Sequence, residues 1–257
     1  MSTLKLTLLQ QPLVWLDAEA NLRHFAKLLE DIHQRDVIIL PEMFVSGFAM
    51  NAAEFALPEA EILDWLRHWA GKTNALLGGS VALQTPEGAV NRFLLVKPSG
   101  EIHFYDKRHL FRIAGEHHHY QAGKRRKVVE WRGWRILPQI CYDLRFPVWS
   151  RNQQDYDLAI YVANWPAARA KHWQKLLPAR AIENQVFVAG CNRVGEDDNG
   201  HSYQGDSVII DPQGEILSSA PLHERARLDA TLSLAALSDY RERFPAWRDA
   251  DDFLLHH

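Results

Sequence analysis

Cysteine is scarce in this chain. Only Cys141 and Cys191 occur among 257 residues, too few and too widely spaced for the disulfide framework of a small secreted domain. An excess of one charge is also missing. Lys and Arg total 29 against 32 Asp and Glu, a formal net of -3, which gives no general pull toward nucleic acid or an anionic membrane. No apolar run approaches the roughly 20 residues that span a bilayer. The opening Met1 to Gln10 carries one lysine and alternating leucines, not a basic segment followed by an unbroken apolar stretch, so it makes a poor signal peptide. Gly-rich phosphate loops, linkers, repeats and low-complexity tracts are lacking too. These absences leave a soluble cytoplasmic protein as the expectation.

What is present is ordinary globular material: 47% hydrophobic and 24% charged residues, in a chain long enough for one domain with a sizeable core. The expectation is a single domain over residues 1–257. Its last stretch, from about Ala236, reads as a polar, irregular C-terminal tail over 236–257. His256 and His257 resemble a tag remnant and are set aside.

Leu4, Leu6 and Leu8 alternate with Lys5 and Thr7, the period of a half-buried strand. Asp17 can cap a helix whose Leu22, Phe25, Leu29 and Ile32 share one face. The run Val37 to Leu40, stopped by Pro41, suits a strand buried on both faces. Ala60 to Ala70 reads as a helix and Ala75 to Ala82 as a strand. Arg92 to Lys97 and Glu101 to Tyr105 flank the turn Pro98-Ser99-Gly100 as a hairpin. Trp134 to Ile140, Asp157 to Ala163 and Gln185 to Asn192 are further strands. A helix ends near Asn184, and its Pro178 predicts a kink or a first turn. Ser207 to Asp211 and Glu215 to Leu217 make a late hairpin. Crossover helices mixed with hairpins predict an α/β fold with one mixed sheet or two.

Three strand ends carry reactive side chains: Glu42, Lys107 and Cys141. Binding crevices open at such ends. Taken singly, each has a bland reading as a buried thiol or a solvated charge. Their neighbours change the weighing. Pro41-Glu42-Met43-Phe44, Tyr105 to Phe111 (YDKRHLF) and Ile140 to Pro147 (ICYDLRFP) resemble, in order and spacing, the three catalytic blocks of nitrilase-superfamily carbon–nitrogen hydrolases. Gly115-Glu116-His117 to Gly123 resembles the loop that supplies a second glutamate in that family.

The resemblance implies a four-layer α-β-β-α sandwich, commonly paired as a homodimer, that acts on a small-molecule amide with no cofactor. It implies Cys141 as nucleophile, Glu42 as general base, and Lys107 with the backbone N–H of Tyr142 as oxyanion donors. Glu116 would orient Lys107 or the substrate. The chemistry suits the residue types. A free thiol of pKa about 8.5 is mostly protonated at neutral pH, so a carboxylate to take its proton and an ammonium to favour the thiolate are both useful.

Tyr142-Asp143-Leu144-Arg145-Phe146 follows the nucleophile where nitrilases proper tend to have tryptophan. Together with Ala163 to Pro166, His172-Trp173, Ala179 to Gln185 and Gly190 to Gly195, it resembles bacterial omega-amidases. These hydrolyse the terminal amide of 2-oxoglutaramate and 2-oxosuccinamate. Such substrates need a cation or several N–H donors for their carboxylate, and Arg145 and Arg193 are candidates. Phe44, Phe48, Tyr142 and Trp165 are candidate walls, each of which could equally be aromatic core. Other hydrolases on the same triad (an aliphatic amidase, carbamoylase or nitrilase) and a non-catalytic scaffold are the rival readings. His117-His118-His119 invites a metal, but three consecutive residues rarely face one ion, so no metal is expected. Lys124 to Lys127 reads as a solvated face, not a nucleic-acid site. Cys191 reads as buried and inert.

Overall fold

The computed structural model describes residues 3–52 and 58–255; His256 and His257 lie outside the described residues. Two six-stranded sheets stack face to face with helices on both outer sides, the expected four-layer α-β-β-α sandwich.

The first sheet begins with β1 (Thr3–Gln10), then crosses through α1 (Ala18–Glu30) to β2 (Val37–Ile39). Asp17 caps α1 as expected, its carboxylate accepting from the Ala20 N–H at 2.9 Å. A second crossover, α2 (Glu59–Thr73), leads to β3 (Leu76–Thr85). These three strands are parallel neighbours. β4 (Gly88–Val96) and β5 (Ile102–Asp106) then fold back as antiparallel strands. β4 starts earlier than its apolar run predicts, because the alternation Asn91, Phe93, Leu95 carries one inner face through a polar residue.

The second sheet follows the same plan. β6 (Val129–Trp131) pairs antiparallel with β7 (Trp134–Ile140). After the single-turn helix α3 (Pro147–Ser150), the chain enters β8 (Leu158–Ala163), crosses through α4 (Ala170–Asn184) and forms β9 (Phe187–Asn192). Strands β7, β8 and β9 are the parallel trio. Pro178 lies well inside α4, not in its first turn. A small hairpin, β10 (Val194–Glu196) and β11 (Ser202–Gln204), precedes the antiparallel pair β12 (Val208–Ile210) and β13 (Ile216–Ser219).

Two late elements depart from the sequence reading. β14 (Ala226–Ser233) pairs with β1 and closes one edge of the first sheet. Its charged Arg227 and Asp229 face away from the buried Leu228 and Leu232, as an edge strand tolerates. The stretch expected to be irregular from Ala236 is helical as far as Arg243, in α5 (Leu234–Arg243). Leu237 is buried beneath it, and Arg241 pairs with the buried Asp157 at 3.0 Å. Arg241 also donates to the Gln185 and Tyr156 carbonyls, at 2.9 and 3.0 Å, so one leucine and one well-used arginine dock a polar helix.

Leu4, Leu6, Leu8, Ile136, Ile160 and Val162 meet between the sheets. Phe25, Leu66 and Trp69 cover the first sheet's outer face, and Trp173, Leu177 and Ala181 the second's. Cys191 lies in the middle layer, fully buried, and burial pushes its thiol far above the usual range. Among the described residues no helix is long and apolar enough to cross a membrane.

Candidate active site

Strand ends from both sheets converge on one cleft of about 400 Å³. Glu42, Lys107 and Cys141 all reach it.

Glu42 follows β2 across Leu40 and Pro41, where the chain must turn sharply. Met43 takes a left-handed φ of 46°, a conformation that costs a non-glycine residue roughly 1–2 kcal/mol. The turn is held by Ser80, whose hydroxyl accepts the Met43 N–H at 2.9 Å and whose carbonyl accepts the Phe44 N–H at 3.0 Å. Gly79 lets the turn tuck in: a Cβ there would sit 2.9 Å from Leu40 and Phe44 side-chain carbons. Glu42 is thereby buried completely. One oxygen accepts from Asn91 Nδ2 at 2.8 Å and Lys107 Nζ at 3.0 Å; the other accepts the Asn164 backbone N–H at 2.7 Å.

Lys107 leaves β5 with its N–H on the Asn91 carbonyl, and its own carbonyl accepts the Gly123 N–H at 2.8 Å. Only glycine fits at 123, because a Cβ would fall 2.0 Å from the Asp106 carbonyl oxygen. The ammonium, fully buried, also donates to both oxygens of Glu116, at 2.9 and 3.1 Å. Burial lowers the Lys107 pKa, but the carboxylates of Glu116 and then Glu42 outweigh it and hold the group cationic, above its ordinary value. Burial, with Glu42 nearby, pushes Glu116 up against the pull of Lys107. Glu116 sits behind Lys107 and is not part of the cleft wall. It also accepts the Phe111 N–H.

Cys141 opens a tight turn, Cys141–Arg145, directly after β7, and is itself left-handed at φ 44°. Asp143 pins this turn. Its carboxylate accepts the Ile140 N–H at 3.0 Å, the Tyr105 hydroxyl at 2.8 Å and the His109 N–H at 3.0 Å. One buried acid thus ties the cysteine turn to the chain on both sides of Lys107. The thiol shares the cleft wall with Glu42 and Lys107. Burial pushes the thiol well above its usual range, Glu42 adds to the rise, and Lys107 opposes it without prevailing. The arrangement puts the thiol beside a carboxylate able to take its proton.

Phe48, Tyr142, Arg145 and Trp165 line the cleft as expected. Phe44 and Arg193 do not. Phe44 turns into the outer core against Phe25 and Trp65, because residues 43 and 44 diverge at the tight turn. Arg193 is buried, bonding the carbonyls of Leu13, Val194 and Glu196 beneath Tyr203. Its length is spent on backbone. Several contributors went unrecognised as functional in the sequence. Asn91 and Asn164 hold Glu42; Phe111, Arg169 and Tyr203 line the cleft. Asn91 had a signal, a polar residue on an otherwise apolar strand face. His117 and His118 stack side by side at 3.8 Å; among the described residues no three His, Cys, Asp or Glu cluster to hold a metal.

A carboxylate, an ammonium and a thiol gathered at strand ends of a four-layer sandwich define the class: a nitrilase-type hydrolase. The carbon–nitrogen hydrolase family model matches residues 5–242. The chain belongs to that family and is an amidohydrolase of the nitrilase superfamily. It is 78% identical to omega-amidase YafV of Yersinia enterocolitica over 99% of this chain and all of that one. It is 34% identical to the 2-oxoglutaramate amidase of Bacillus subtilis, covering 83% of this chain and 84% of that one. The crystal structure of XC1258 from Xanthomonas campestris, a CN-hydrolase superfamily protein with an arsenic adduct in its active site, superposes with a TM-score of 0.97 at 45% identity over both full chains.

Proposed function

We propose that this protein is an omega-amidase, working as one hydrolase unit, that cleaves the terminal amide of a small omega-amido keto acid such as 2-oxoglutaramate or 2-oxosuccinamate. The observation that carries the reading is the meeting of Glu42, Lys107 and the Cys141 thiol in one cleft. The relatives named as omega-amidase and 2-oxoglutaramate amidase support the substrate class.

Glu42 takes the thiol proton as Cys141 Sγ attacks the amide carbonyl carbon. The charge that develops on the carbonyl oxygen is met by Lys107 Nζ and the Tyr142 backbone N–H. Each such donor contributes roughly 3–4 kcal/mol to lowering the barrier. Collapse of the tetrahedral intermediate breaks the C–N bond; Glu42 returns the proton to nitrogen, and ammonia leaves a thioester on Cys141. Glu42 then draws a proton from water, whose oxygen attacks the thioester carbonyl. The C–S bond breaks, the acid departs and the thiol is restored. Glu116 keeps Lys107 charged and aimed. Phe48 and Trp165 wall the short chain of the substrate, and no cofactor enters any step.

Ammonia release from both keto amides by wild type and Cys141→Ala tests the reading. Turnover by wild type, reduced at least about 10⁴-fold in a folded Cys141→Ala, is the expected result. A folded wild type inactive on both compounds but active on simple amides or carbamoyl compounds would replace the omega-amidase reading with another triad hydrolase. An undiminished Cys141→Ala would remove the triad.

A further inference from the structure

Arg169 was not among the residues singled out in the sequence, yet it lines the same cleft as Cys141, and so does Arg145. The two arginines come from the two turns that carry site residues. Arg145 ends the turn that Cys141 begins. Arg169 ends the turn Ala167–Arg169, shortly after Asn164, the residue that holds Glu42. Trp165 links them. Its indole face lies 4.8 Å from the Arg145 guanidinium carbon, and its Nε1 donates to the Arg169 carbonyl at 2.8 Å. With Trp165 buried, both turns are fixed to one rigid ring.

Both side chains set their guanidiniums against aromatic rings that line the cleft. Neither has a carboxylate within ion-pair distance among the described residues. Arg145 bonds the Nδ1 of His172 at 2.9 Å, and Arg169 lies over the Phe111 ring at 5.1 Å. Both are half-buried. Glu42 is the one acidic residue on the cleft wall among those described, and it is saturated by Asn91, Lys107 and Asn164. The cleft therefore has a reacting end, with its charges mutually matched, and an outer end with two cations awaiting an anion. Aromatic faces orient a guanidinium without neutralising it. They leave its planar fork free for a carboxylate.

We propose that Arg169 and Arg145 form the carboxylate-reading end of the cleft and select anionic over neutral amides of the same length. This rests on the hydrolase reading above and deepens it. Arg169 is the specificity-determining residue that replaces Arg193 in the assignment.

The test compares kcat/KM for 2-oxoglutaramate with that for pentanamide, an uncharged amide of equal carbon count, in wild type, Arg169→Gln, Arg145→Gln and Arg169→Lys. The ratio should fall about ten- to a hundredfold in each Gln variant, the size expected for losing a hydrogen bond to a charged group. The loss should lie in KM, and Arg169→Lys should restore part of it. An unchanged ratio in both Gln variants would overturn the proposal. Should wild type cleave pentanamide but not the keto amide, the omega-amidase reading fails separately. The arginine pair is then read from inhibition of pentanamide hydrolysis by 2-oxoglutarate. A Ki weakened about tenfold in Arg169→Gln retains the proposal, and an equal Ki removes it.

Discussion

Central strand β2 of the first sheet leads into Glu42, whereas central strand β8 of the second, at the equivalent place in the same strand plan, leads into Asn164. The two residues meet, the Asn164 N–H donating to the Glu42 carboxylate and its side-chain amide to the Glu42 carbonyl. The sheets mirror one another in order, each a parallel trio with one antiparallel strand on one side and two on the other. Their chemical gifts differ. The first sheet and its loops supply the charged groups Glu42, Lys107 and Glu116 of the cluster; the second supplies neutral Asn164 and the Cys141 thiol. An ionised cluster costs least when its members satisfy one another before anything else arrives. The nucleophile can then be brought to it across the sheet interface as an uncharged thiol.

Breaking the charged half should have the largest effect. Glu42→Gln removes the base and should lower turnover by about 10³-fold. It should also do the opposite to thiol reactivity. Without the neighbouring carboxylate the Cys141 pKa falls, because Lys107 then acts with less opposition, so alkylation of Cys141 by iodoacetamide at pH 8 should accelerate. Slower alkylation in a folded Glu42→Gln would mean that the carboxylate, not burial alone, generates the thiolate at rest.

Erasing the asymmetry comes next. Asn164→Asp places a second carboxylate against Glu42, and two such groups in contact share a proton. Turnover at pH 7 should drop about 10²-fold, with partial recovery as pH rises and the pair loses that proton. An equal loss at every pH would point instead to the missing side-chain N–H. Asn164→Ala separates the two explanations.

The smallest effect tests the far side of the second sheet, where Asp157 is clasped by Arg135 at 2.7 Å and by Arg241 of α5 at 3.0 Å. Burial raises its pKa, but hydrogen bonds from Arg135 and the charges of both arginines prevail and hold it below the usual value. A carboxyl depressed in the fold stabilises above its unfolded pKa of about 3.9 and loses that contribution as pH falls through the folded value. Between pH 5 and pH 3, wild type should therefore lose more stability than Asp157→Asn, measured by urea midpoints. Parallel losses would show that the Asp157 ion pairs add nothing to the docking of α5.

How far the sequence was legible follows from the range of each signal. Glu42, Lys107 and Cys141 lie in short local blocks after apolar runs, so neighbours in the chain announce them. Asn91 and Arg169 act through contacts made across the fold; Asn91 shows only as a polar residue on an apolar strand face, and nothing adjacent to Arg169 in sequence marks it. Arg193 misled for the complementary reason: it sits in a well-marked stretch, but its direction is decided by carbonyls from Leu13 and Glu196. The layer order was readable from buried runs such as Val37 to Leu40. β14 and α5 were not, since an edge strand and a helix docked mainly through Leu237 and the polar contacts of Arg241 look polar along the chain.

The single ammonium lodged between two carboxylates has a consequence for traffic through the enzyme. On the proposed chemistry, only the amide end of the substrate enters such a place, and that end is uncharged; its carboxylate stays with the arginines of the cleft. Hydrolysis turns that end into a second carboxylate, born beside Glu42 and facing a lysine already spoken for on both sides. Like charges then work to eject it. On the proposed chemistry, the same arrangement that lets the reaction start keeps the finished molecule from lingering, and turnover runs outward.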